Sequence, residues 1–354
     1  MCGGVSMFLA IREMKHDKVR YGLVISLIFL VSYLVFILTG LATGLSDLNK
    51  SAIEQWNAAE IVLDKDAQGR LPQSYLSAHD LRQIGKKGAQ LAQFSTLVKS
   101  HNYKENAQLL AIKRQEFIYK KLPLQEGKKF GAARTVVVSA KFKQDGFKLG
   151  DSLTIPNSKV HLKIVGFITA SSLNVAPVMY TSFETLKEVT KTRSINGVVF
   201  QHSGDKHLKL KDSRRYSIAQ FIEQLPGYSA QQLTFNFMIG FLFVIILIVI
   251  SIFLYILTLQ KLPNFGVMKA QGIPTGFLIR NTLVQTLLMS ILGVAVALGL
   301  AFVTALILPT QVPIKLDWNE IGIAGMGIIV MSLAGALIPI RQIIKVDPIQ
   351  MIGG

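Results

Sequence analysis

Four uncharged apolar runs, divided unevenly by one long polar insertion, constrain this chain more than any other feature. The runs cover residues 21–44, 233–259, 281–309 and 321–340. Each is long enough to cross a bilayer, which takes about 20 apolar residues in helical form. Lipid offers no partner to an exposed backbone amide, so such runs predict membrane helices. None holds Asp, Glu, Lys, Arg or His. Intramembrane charges mark ion and proton paths, so their absence argues against an ion-coupled transporter or a channel. In the third run Gly293, Ala297, Ala301 and Ala305 recur every four residues, a stripe that predicts close helix packing.

The insertion, residues 45–232, holds 28 of the 38 Lys/Arg and 16 of the 21 Asp/Glu. The chain as a whole is only 17% charged, against about 25% in soluble proteins. The reading is therefore a membrane α-helical protein of four transmembrane helices with one α+β domain between helices one and two. Within that domain RTVVVSA is a β-branched run that reads as a strand. FKLGDSLTI sets a Gly-Asp turn before the alternation Leu153, Ile155, and VHLKIVGFIT alternates Val160, Leu162, Ile164. Residues 77–92, opened by Ser77 and Asp80, and YTSFETLKEVTK read as helices. The net positive domain suits anionic surfaces or ligands, but no basic-aromatic motif points to nucleic acid.

Short-loop cations set the orientation. Arg12, Lys15, Lys18 and Arg20 precede the first run, three cations lie in 260–280, and Arg341 and Lys345 follow the last run. Both termini (residues 1–20 and 341–354) and segment 260–280 are thus expected in the cytoplasm of a cell-membrane protein. The 45–232 domain and the short loop 310–320 are expected outside. Met7, Phe8, Ile11 and Met14 fall on one helical face and Arg12, Glu13, Lys15 and His16 on the other. That pattern predicts an interfacial elbow helix in contact with membrane lipids.

Catalytic chemistry is hard to find. MCGGVS lacks the apolar core of a signal peptide, and Cys2 is the single cysteine, so no internal disulfide forms. His202 and His207 flank a polar turn without a third metal ligand. No nucleophile elbow, H-E-x-x-H or phosphate-binding loop occurs, and EGKKFGAAR does not fit the last. The chain is expected to be no enzyme, with no intrinsic cofactor and no ATP site of its own.

Segment 260–280, QKLPNFGVMKAQGIPTGFLIR, is short, basic and rich in turns, and it carries an apolar pair, Val267 and Met268. Pro263 and Pro274 are expected to delimit a short helix. The apolar pair suits a groove on a partner, with Lys261, Lys269 and Arg280 meeting an acidic rim.

Three local matches carry a family resemblance: FKLGDSLTI with VHLKIVGFI, FGVMKAQGIPTGFLIR, and the terminal KVDPIQMIGG. With the four-span layout they resemble the FtsX/MacB-like permeases of ABC transporters, the mechanotransmission type. The resemblance implies a homodimer, a separate ATPase that binds ATP and docks at Lys261, Val267, Met268 and Lys269, and efflux driven by that ATPase. The short form with this ending is most similar to haem-exporting permeases of Gram-positive bacteria, which implies haem as substrate. Haem is a flat apolar disc with two carboxylates. Glu54, Trp56, Tyr228, Phe235 and Met238, with Phe237, are the expected contacts, and His79 and His101 are weaker ligand candidates. An aromatic belt would explain the same rings. Export of antimicrobial peptides or lipids, and non-transporting mechanotransmission to an outer partner, remain the other readings.

Overall fold

The computed structural model describes residues 12–85, 87–100, 103–192, 194–202, 210–309 and 312–345. Met7, Phe8, Ile11, His101 and His207, named above, lie outside the described residues. The chain divides into two compact units, Met1–Gly44 with Leu233–Gly354, and Leu45–Gln232.

The first unit is helical. Its elements are α1 (Lys18–Gln55), α2 (Tyr228–Ala270), α3 (Thr275–Ile307), α4 (Trp318–Gly335) and α5 (Leu337–Lys345). Four segments, α1, α2, α3 and α4 with α5, are long and apolar enough to cross a membrane. Two helices run well past their apolar stretches. LSDLNKSAIEQ, after Gly44, contains no breaker, so α1 continues to Gln55. The 43 residues of α2 make about 65 Å of helix at 1.5 Å per residue.

Pro263 does not open a separate short helix: it sits inside α2. A proline removes one N–H and crowds one carbonyl, which kinks a helix without ending it when helix formers follow. The true stop is Gly272, whose φ of +88° suits glycine, with Gly272 N–H donating to Lys269 O. Pro274 then caps α3.

Ridges of α1 meet small residues of α3. A Cβ on Gly293 would stand 2.7 Å from Ile28 Cγ2 and 3.2 Å from the Phe29 amide. Ala297 and Ala301 are fully buried in the same cluster as Val31, Val35 and Phe36. The four-residue stripe is therefore a seam of close helix approach. Gly335 plays the same part for α2, where a Cβ would lie 3.1 Å from Ser251 Oγ.

The second unit is built on a sheet. Its strands are β1 Glu60–Asp64, β2 Ala89–Ser100, β3 Tyr103–Ala111, β4 Leu124–Gly127, β5 Thr135–Ser139 and β6 Ser152–Thr154, then β7 His161–Ile168, β8 Ser172–Leu173, β9 Ala176–Thr181, β10 Gly197–Phe200 and β11 Ser213–Ser217. The order is β11-β1-β10-β2-β3-β9-β5-β7-β4, with β6 beside β2 and β7 and β8 beside β9. The long β2–β3 hairpin runs antiparallel from Ala92↔Ala111 to Ser100↔Tyr103. The expectation of a helix over 77–92 needs correcting. Helix covers Ala78–Ile84 only, and Gly85 at φ +58° ends it. The backbone at Gly88 passes so close to β10 that a Cβ would meet Val198, and β2 pairs with β10 from Ala89. Thr135–Ser139, His161–Ile168 and the Ser182-capped helix Phe183–Thr190 match their sequence patterns.

Candidate functional site

The helical unit carries a polar knot where its basic end meets the helices. Lys261 Nζ, near the end of α2, donates to Glu13 Oε2 at 2.8 Å and to Tyr21 OH at 2.6 Å. Tyr21 OH donates in turn to Gln285 Oε1 of α3 at 2.9 Å, and Gln285 Nε2 donates to Glu13. The ammonium also lies 5.2 Å from the Tyr21 ring centroid. Tyr21 is 2% exposed and Gln285 7%, while the Lys261 and Glu13 side chains are 17% and 27% exposed, so the ion pair is partly shielded from water. Such a pair costs desolvation, which its extra hydrogen bonds offset, and its geometry resists sliding. Sequence reasoning missed Glu13, Tyr21 and Gln285. The available signal was Asn281 and Gln285, amides four residues apart at the head of an apolar run.

Beyond the knot, segment 260–280 is a packed block rather than a loop. Phe265 of α2, Leu278 of α3 and Ile343 of α5 form a small core, with Leu262, Met268, Ile273 and Phe277 against it. This corrects the expected exposed apolar pair: Met268 packs inward, while Val267 is 46% exposed. The lysines are also not free cations on a rim. Lys261 is committed to the knot, and Lys269 Nζ donates to the carbonyls of Ile343 and Ile344, at 3.0 and 3.3 Å. Arg280 is exposed. A cleft of about 630 Å³ lies alongside, bordered by Asp17, Arg20, Lys261, Asn264 and Phe265.

In the sheet unit, Glu54 is half-exposed and pairs with Lys50 at 2.8 Å, one helical turn away. Trp56 is 1% exposed, and its Nε1–H donates to Tyr180 OH at 3.1 Å. Burial drives the Tyr180 hydroxyl well above the usual tyrosine range, only partly offset by Trp56. Tyr228 is 9% exposed, with its hydroxyl 3.0 Å from Ser46 Oγ and accepting from Gln232 at 3.2 Å. Trp56 and Tyr228 thus belong to the apolar core of this unit. His79 bonds Asp80, and His202 is exposed. Among the described residues no group of three His, Cys, Asp or Glu side chains stands close enough to hold a metal.

One face of α2 is open and apolar along the expected cargo residues that this helix carries. Phe237, Met238 and Phe241 are 60%, 43% and 65% exposed, and Phe235 is half-buried. Leu233, Phe237, Gly240, Phe241 and Val244 line a groove of about 460 Å³. A Cβ on Gly240 would meet nothing, so the groove floor stays open.

Four apolar helices that carry a sheet domain between the first and second, tied at one end by a partly buried polar knot, describe a membrane protein. The FtsX-like permease C-terminal family matches residues 236–348, and the MacB-like periplasmic core domain matches residues 22–211. The chain belongs to the FtsX/MacB-like ABC transporter permeases, with its α+β domain extracellular. It is 27% identical over 354 residues to a Staphylococcus haemolyticus protein named as hemin transport system permease protein HrtB, covering 98% of this chain and 99% of that one. A Staphylococcus epidermidis protein of the same name is 27% identical over 356 residues, with the same coverage. A solved extracellular domain, that of the noncanonic ABC-type transporter YknZ from Gram-positive bacteria, aligns at TM-score 0.33 and 18% identity. That alignment covers 43% of this chain and 87% of that one.

Proposed function

We propose that this permease exports haem, as a homodimer driven by a separate ATPase, with its termini and the 260–280 block in the cytoplasm. The observation that carries the cargo is the open groove on α2, where Phe237 and Phe241 flank the bare backbone of Gly240. A porphyrin is a flat apolar disc, and exposed aromatic rings suit it. Full-length similarity to two proteins named as hemin transport permeases supports the same reading. Phe235 and Met238 of α2 are proposed contacts, and Glu54, in the sheet unit, is proposed as a contact in its own right. Trp56 and Tyr228 serve this reading as supports, because reaching a ligand would break their bonds to Tyr180, Ser46 and Gln232.

The ATPase docks on the exposed Val267 face. It pushes the Phe265–Leu278–Ile343 block, and the knot from Lys261 to Glu13, Tyr21 and Gln285 passes that push to α1 and α3 together. The test has two arms. Hemin added to purified permease should give a saturable Soret shift, weakened about tenfold or more in Met238→Ala combined with Glu54→Ala. Absence of a saturable shift would discard haem in favour of peptides, lipids or signalling to an outer partner. Val267→Asp should abolish co-purification of the ATPase while leaving thermal stability intact, and undiminished co-purification would refute the docking face.

A further inference from the structure

A second groove, of about 450 Å³, opens outward where the N-terminal helical residues meet α1 and α3. Gly22 and Ile25 of α1 and Leu288 and Leu292 of α3 form its walls, and Lys15 and Lys18 line its basic end. Both lysines are exposed. Tyr21 contributes only its ring, because its hydroxyl is engaged by Gln285 and Lys261. A Cβ on Gly22 would meet nothing within 4 Å, so the groove is open at its centre.

We infer that this groove holds an acyl chain of an anionic phospholipid, with the lipid phosphate between Lys15 and Lys18. Depth is the first reason. The apolar stretch of α1 begins at Tyr21, one turn past Lys18, so the lysines stand at headgroup level and the groove at acyl level. Wall chemistry is the second: the groove is apolar beyond its lysines, and Leu292 is 48% exposed. Charge is the third. Lysine binds phosphate as a point charge, and two of them favour an anionic headgroup over a zwitterionic one.

A second copy of the chain is a poorer occupant. The described acidic residues of the helical unit are Glu13, Asp17, Asp317 and Glu320. Glu13 is committed to the knot, and Asp17 borders the neighbouring cleft. Asp317 caps α4, and Glu320 sits in that helix's first turn. That end lies beside Gly40, through Lys315 N–H to Gly40 O at 3.0 Å, over twenty residues along α1 from Lys18. Of these only Asp17 stands outside the knot and at the lysines' own level, and it borders the neighbouring cleft, so a second copy offers two lysines at most one carboxylate there. The inference does not depend on the cargo. Because Lys15 also borders the cleft beside Lys261 and Phe265, a bound headgroup would hold the N-terminal residues against the knot and make activity depend on anionic lipid.

The test uses full-length protein in nanodiscs with phosphatidylglycerol or phosphatidylcholine carrying a diazirine on the acyl chain. After irradiation, adducts are mapped by mass spectrometry. Phosphatidylglycerol should label the Ile25 and Leu288–Leu292 peptides about tenfold more than phosphatidylcholine. Lys15→Gln with Lys18→Gln should erase that preference. Gly22→Phe should abolish labelling by both lipids there, while labelling on the Phe237 face of α2 persists. Equal labelling by the two lipids, or labelling indifferent to Gly22→Phe, would overturn the inference. So would full competition by soluble glycerol phosphate, which would assign the lysines to free phosphate. Crosslinks between two protein chains at Ile25 or Leu292 in place of lipid adducts would assign the groove to a second copy.

Discussion

Asp80 is fully buried and accepts from Lys211 N–H and Asp212 N–H, each at 3.0 Å, and from the Ser213 hydroxyl at 2.7 Å. His79 Nδ1 lies 3.0 Å away. Burial by itself would raise the carboxyl's pKa, but the Ser213, Lys211, His79 and Asp212 contacts outweigh it and hold the group at about 2, against 3.8 when free. At ~1.36 kcal/mol per pH unit, that depression makes the ionised carboxylate worth about 2 kcal/mol of folding stability. A depressed carboxylate contributes fully above its unfolded value and loses its contribution as pH falls through its folded value. The loss should therefore run from about pH 4 down to about pH 2.

Asp80→Asn turns one acceptor into a donor facing donors. It should cost about 3 kcal/mol near neutral pH, and the gap should narrow to about 1 kcal/mol as the acid limit is reached. Fluorescence of Trp56, buried in the same unit, reports the unfolding once the 71%-exposed Trp318 is replaced by Phe. Denaturant titrations of both proteins across that pH range give the two stability curves. A gap below about 0.5 kcal/mol near neutral pH, or one that stays constant on acidification, would refute the account of Asp80.

Gly293→Ala should destabilise the helical unit by about 1–3 kcal/mol through overpacking on Ile28, whereas Gly299→Ala, whose Cβ meets nothing within 4 Å, should be neutral or slightly stabilising. Thermal unfolding in detergent separates them, and Gly293→Ala combined with Ile28→Ala, which removes the Cγ2 in the way, should cost less than the two single changes summed. Trp56→Phe should cost about 1–2 kcal/mol, because it strands the buried Tyr180 hydroxyl and leaves a void. An unchanged melting curve would show that the bond to Tyr180 contributes nothing.

The architecture could be read from the chain because its main signals are local. Apolar length and charge exclusion make spans, and the four-residue stripe at Gly293, Ala297 and Ala301 makes a seam. A β-branched run makes β5 and alternation makes β7. What escaped depends on distant partners. Nothing near Pro263 says that the helix continues through it, and nothing near Met268 says that Ile343 belongs to the core it packs beside. Nor does Trp56, just past the end of α1, announce that Tyr180 will bury it. Lys261 and Lys269 count as loop cations by sequence, yet Glu13 and two carbonyls of α5 occupy them. Residue type suggested a contact surface, while tertiary pairing decided which side chains remain available on it.

Ile343 has a consequence for how this chain varies. It is wholly buried in the small core of Phe265 and Leu278, so the end of α2, the start of α3 and the tail helix share one fixed volume. A larger side chain at any of the three positions would have to be answered by a smaller one at another. Substitutions in the block expected to receive an ATPase should therefore be accompanied by substitutions in the tail, and a tail exchanged between two such permeases should fail unless Phe265 and Leu278 travel with it.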